Sequence, residues 1–135
     1  MNTENQQKEF LRGYITCALW TATDSDGVPF DNYTHDESSL AGETLEKMKS
    51  DCTKFMADNG EDLELFGNVM GVSETKPDFS GSAGHDFWLT RNGHGAGFWD
   101  RGLGELGDRL SKASKAFGES HLYAGDDGKL YLFEG

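Results

Sequence analysis

The sequence predicts an α+β fold, with helices packed on a small antiparallel sheet built from two C-terminal hairpins in the order α-α-α-β-β-α-β-β. Apolar residues recur at spacings of three and four through the front of the chain, which is the period of one helix face. Behind residue 84, short aromatic runs flank glycine-rich turn signals, the pattern of hairpins. Between those hairpins Leu103, Leu106, Leu110, Ala113 and Phe117 keep helical spacing and stop at Gly118.

Phe10, Leu11, Tyr14, Ile15, Ala18 and Leu19 draw one apolar stripe and predict a first helix over residues 4–20. Gly13 weakens it by roughly 1 kcal/mol against alanine and permits close packing. A polar connection over 23–37 follows, with Asp26-Gly27 as a turn and Pro29 excluding helix. Leu45, Met48, Cys52, Phe55 and Met56 define the second helix, and Asn59-Gly60 is its stop signal. Leu63, Phe66 and Met70 place a third helix over 62–70, and Pro77 with its Gly/Ser neighbours predicts a loop over 71–84. Phe87–Thr90 and Phe98–Trp99, separated by an Asn-Gly turn, are the expected strands of the first hairpin. Residues 121–124 and 129–133 around Gly125-Asp126-Asp127-Gly128 predict the second.

At 135 residues one domain over 1–135 is expected, an acidic helical part over 1–80 joined to a hairpin-helix-hairpin part over 81–135. Only 36% of residues are apolar, but nine Phe, four Tyr and three Trp bury enough area each to sustain a core. No run reaches the roughly 18 to 20 apolar residues of a membrane span, and residues 1–9 lack a secretory apolar stretch, so a cytoplasmic protein is expected. Cys17 and Cys52 fall on apolar helix faces and read as buried thiols rather than a disulfide.

The formal charge is −12, from 24 acids against 12 bases. Such a field repels phosphate and anionic lipid, so direct nucleic-acid and membrane binding are disfavoured. Residues 1–80 carry 16 acids and 6 bases, which concentrates the excess at the front. Asp24, Asp26, Asp31, Asp36, Glu37, Glu43, Glu46, Asp58, Glu61, Asp62 and Glu64 admit two readings. They solvate loops and helix exteriors, or they imitate DNA phosphates and fill a nucleic-acid-binding protein's cleft.

The segment 84–101 concentrates donors, stacking groups and glycines, and makes His85, Trp88, Arg91, Asn92, His94, Trp99 and Arg101 candidate binding residues. Its aromatics serve equally well as core and interstrand pairs. His85, Asp86, His94 and Asp100 are chemically suitable metal ligands, but their spacing matches no established set, and no metal is expected. Gly93, Gly95 and Gly97 lack the strand, helix and Gly-Lys-Ser/Thr ending of a phosphate loop, so no cofactor is expected. No nucleophile elbow occurs, and the balance leans away from an enzyme.

The stretch G-H-D-F-W-L-T-R-N-G-H-G-A-G-F-W-D-R with G-D-D-G-K-L-Y resembles a group of small acidic proteins encoded by bacteriophages and prophages. The resemblance covers about the last third of the chain, with a looser likeness near Tyr14–Trp20 and Asp51–Phe55. It implies a setting, the infected bacterial cytoplasm, and brings no functional residues. The leading expectation is an accessory protein that binds a host or phage protein. A small-ligand or metal-binding domain using residues 85–101 and a self-associating structural protein are the alternatives; the oligomeric state is left open.

Overall fold

The computed structural model describes residues 3–23, 27–30, 36–69, 80–93, 97–100 and 102–134. Among them, helices α1 (Thr3–Thr21), α2 (Gly42–Asp58), α3 (Gly60–Val69), α4 (Ser80–Arg91) and α5 (Glu105–Lys115) precede strands β1 (Ser120–Ala124) and β2 (Leu130–Glu134). The strands form one two-stranded antiparallel sheet. The α+β class and its C-terminal hairpin therefore stand. None of the described helices is long and apolar enough to cross a membrane.

The first expected hairpin is corrected: residues 80–91, expected as loop and strand, are α4, and Phe98–Asp100 is a short 3-10 turn. Continuous burial of its second half is the physical reason. Ala83, Gly84 and every residue from Asp86 to Arg91 are buried, so no polar face marks the helical period. A continuous buried run reads the same as a strand. Asn92-Gly93 closes the helix instead of turning a hairpin. The Asn92 backbone N–H and side-chain Nδ2 both donate to the Trp88 carbonyl, at 3.3 and 3.0 Å, while Gly93 takes a left-handed φ of 70°. Phe98 then folds back, its N–H donating to the buried Thr90 hydroxyl at 3.1 Å.

The other helices follow their apolar spacing. Asn59 closes α2 by donating to the Phe55 carbonyl from both its backbone and its side chain, and its own carbonyl accepts from Leu63 N–H to open α3. In α5 Leu106 and Leu110 face inward, and Gly118, at φ 77°, ends the segment. Phe10, Tyr14, Met48, Phe55, Phe66, Phe87, Phe98, Leu110 and Leu130 belong to one buried apolar cluster. Phe55 and Phe87 stack at its centre with centroids 4.2 Å apart.

Helices α1 and α4 approach backbone to backbone. A Cβ on Gly13 would overlap the Gly81 carbonyl, and one on Gly84 would overlap that of Phe10. Substituting Gly84→Ala is expected to cost about 3 kcal/mol or more, since neither backbone can yield. Gly60→Ala, whose Cβ meets open space, should be neutral or stabilising by up to about 1 kcal/mol. Chemical denaturation of the two variants checks the contrast.

Candidate interaction surface

Of the described residues expected to form a binding site, Trp88 and Asn92 line one hollow, and Arg91 and His85 do not join them. Trp88 is buried, its Nε1 donating to Thr21 Oγ1 at 2.8 Å. Arg91 is 3% exposed, with its charge spent inside the molecule. Its Nη1 donates to Asp51 Oδ2 at 2.9 Å and to the Tyr14 hydroxyl at 3.0 Å; Nε and Nη2 donate to the Gly118 and Phe117 carbonyls. Phe87 and Phe117 lie 5.6 Å from the guanidinium carbon. Asn92 is a half-buried cap, and its Oδ1 accepts from Ser120 N–H at 2.7 Å. His85 is half-buried in a different place, stacked on Trp20 with its Nδ1 3.6 Å from Asp86, along a groove between α1 and α4. Trp99 is 49% exposed beside the buried Phe98. His94 and Arg101 lie outside the described residues, as do Asp24, Asp26 and Asp31.

The described acids divide by what they touch. On α2 the exposed Glu43, Glu46 and Asp58 are interleaved with exposed Lys47, Lys49 and Lys54, and Lys54 pairs with Asp58 at 3.0 Å. On α3 Glu61 and Glu64 face solvent, whereas Asp62 accepts a two-pronged contact from Arg109 at 2.9 to 3.1 Å. Asp36 and Glu37 are exposed at the 3-10 turn before α2. Among the described residues, no three of His, Cys, Asp and Glu gather closely enough to hold a metal. Both cysteines are free and buried; burial pushes the Cys17 thiol up to about 12, with Asp86 adding to it, and raises Cys52 as well. Desolvation of both thiols disfavours the thiolate form.

Among the described residues Trp20 and Trp99 are exposed singly, whereas Tyr123 and Phe133 share the C-terminal hairpin. Gly125 N–H donates to the Lys129 carbonyl at 2.7 Å, and Gly128 takes a φ of 80° in the turn. The register pairs His121 with Phe133, Leu122 with Leu132 and Tyr123 with Tyr131. Strand alternation sends Ser120, Leu122 and Leu130 into the core. It sends His121, Tyr123, Tyr131 and Phe133 outward, and Phe133 is 61% exposed. The Leu130 carbonyl, accepting from Ala41 N–H and Thr44 Oγ1, holds β2 against α2. On the other flank the Ser120–Asn92 bond ties β1 to the end of α4.

Tyr123 and Tyr131 stack at 5.9 Å, 28° between planes. The Tyr131 hydroxyl donates to Asp127 Oδ2 at 2.6 Å, and Asp127 Oδ1 accepts from Lys129 N–H at 3.0 Å. A hollow of about 300 Å³ lies beside the pair, lined by Glu43, Thr44, Lys47, Tyr123, Tyr131 and Leu132. Another of about 320 Å³, between Thr21, Thr23, Trp88, Asn92, His121 and Leu122, flanks β1. The face missed by pattern reading was encoded in the H-L-Y-A and L-Y-L-F alternation, whose outward positions hold aromatics where solvent-facing strands ordinarily carry polar groups. Comparison with protein-family models, curated proteins and solved structures finds no match to the chain.

Asp51→Ala is expected to cost about 3 to 5 kcal/mol, because Arg91 is then buried without its carboxylate. The double change Asp51→Leu with Arg91→Met should recover much of that loss in urea denaturation. At the hairpin, the hydrogen bond to Asp127 raises the Tyr131 hydroxyl to about 12 and, with the Lys129 N–H, lowers the Asp127 carboxyl. The contact therefore contributes fully between the ordinary values of 3.8 and 10.0. It is lost as pH falls through the lowered carboxyl or rises toward the raised phenol. Tyrosinate absorbance should show one group titrating near 12 that returns toward 10.0 in Asp127→Asn.

Proposed function

We propose that this chain is a noncatalytic accessory protein of phage type that binds a basic protein partner, its carboxylates standing in for the phosphates of DNA. The partner on this reading is a nucleic-acid-binding protein of the host or the phage, a defence enzyme among them, and occupation of its cleft inhibits it. One observation carries the reading: of the described carboxylates only Asp51 and Asp86 are buried, so the others face outward in whole or in part. An exterior of that sign steers association with a positively charged cleft and repels nucleic acid itself. The likeness of residues 84–131 to small acidic phage and prophage proteins supports the setting. Exposed lysines are interleaved with the acids of α2, whereas Glu61 and Glu64 on α3, Asp36 and Glu37 at the 3-10 turn, and Asp126 and Asp127 at the hairpin end are exposed carboxylates.

Capture from a bacterial lysate on the immobilised chain, followed by elution with duplex DNA, tests this. The retained protein should be displaced by DNA, and its affinity should fall at least about tenfold between roughly 50 and 200 mM salt. Binding that ignores both DNA and salt overturns the mimic.

A further inference from the structure

Resting on the reading that the partner is basic, we infer that the outer face of the C-terminal hairpin is the docking surface for an arginine-bearing segment of that partner. A guanidinium sits over the Tyr123–Tyr131 pair within reach of the carboxylates Glu43 and Asp127.

The face has the chemistry a planar cation selects. Tyr123 is 48% exposed and stacked with Tyr131, so an aromatic surface is open to a guanidinium plane. At its edge Asp127 is already immobilised by the Tyr131 hydroxyl and the Lys129 N–H, which removes the cost of ordering that carboxylate on binding. Glu43 lines the hollow beside the rings. Lys47, the cation in that hollow, is held by Asp51 at 3.0 Å. His121 and Phe133, paired across the strands, extend the aromatic surface beyond the tyrosines.

Charge selects the occupant. Residues 118–135 contain Glu119, Asp126, Asp127 and Glu134 against Lys129 alone. A second copy of the chain would bring the same negative surface to this face and be repelled, whereas a cationic segment is attracted. Arginine fits better than lysine, because its fork meets a carboxylate in its own plane while that plane stacks on a ring.

The test is an amide chemical-shift titration of the full chain with a short glycine-spaced arginine peptide and its lysine counterpart. Perturbations should centre on residues 119–133, with the arginine peptide binding severalfold more tightly. Tyr123→Ala should weaken that binding about fivefold, and Asp127→Asn should narrow the arginine preference. Both positions are exposed, and a cooperative thermal transition confirms that each variant is folded. Glu64→Gln, on a distant helix, should leave binding unaltered. Perturbations confined to Glu46, Glu61 and Glu64 overturn the hairpin assignment and leave the acidic-partner reading standing. Equal affinity for the two peptides, untouched by Tyr123→Ala, overturns the assignment as well. No binding of either peptide overturns both readings. Hairpin shifts that grow with protein concentration, without peptide, give the face to a second copy.

Discussion

The guanidinium of Arg91 is the tie on which the tertiary arrangement depends. From the last turn of α4 it reaches Asp51 on α2, Tyr14 on α1, and the carbonyls of Phe117 and Gly118 where α5 leads toward β1. Burying a charge is expensive unless its donors are answered, and these four hydrogen bonds answer it from three parts of the chain. Burial drives the Tyr14 hydroxyl far above the ordinary tyrosine range despite the nearby cation, so it remains a neutral acceptor for Arg91. The pair's value lies in specificity: an alternative packing would strand a charge, which singles out the observed arrangement.

Around that tie, shape does what charge cannot. Gly13, Gly81 and Gly84 remove side chains where α1 meets α4, and the space saved lets Phe87 reach Phe55 and Tyr14 reach Trp88 in edge-on contact at 5.2 Å. Trp88 is satisfied at its polar end by Thr21, whose hydroxyl donates on to the Cys17 carbonyl. The aromatics of α4 thus become core because α1 offers both room and a hydrogen-bond acceptor. Among the described residues, their removal from the surface leaves the hairpin as the place where a tyrosine and a phenylalanine are exposed.

That hairpin is a small sheet of the kind that is marginal alone. It is held because Leu122 and Leu130 enter the common core, while Leu130 and Ser120 are bonded to α2 and α4 on opposite flanks. Anchorage on both sides presents the outer aromatic face as a fixed platform. Its carboxylates are positioned by a turn that two backbone hydrogen bonds close.

Amphipathic elements were legible because each has a wet face. The stripes of α1, α2 and α5 and the alternation of the final strands report their own period, and local pattern was enough to place them. Segment 80–99 was not legible, since the continuous buried run 86–91 shows no helical alternation, and Asn-Gly serves a helix end as well as a hairpin turn. The candidate residues within it dispersed for the same reason: Trp88 and Arg91 went to the core, His85 to another groove. Sequence alone determined the charge, the helical faces and the C-terminal hairpin. Tertiary structure decided that Arg91 answers Asp51, forty positions away, and which aromatics stay outside, because both depend on distances between segments that no local period encodes.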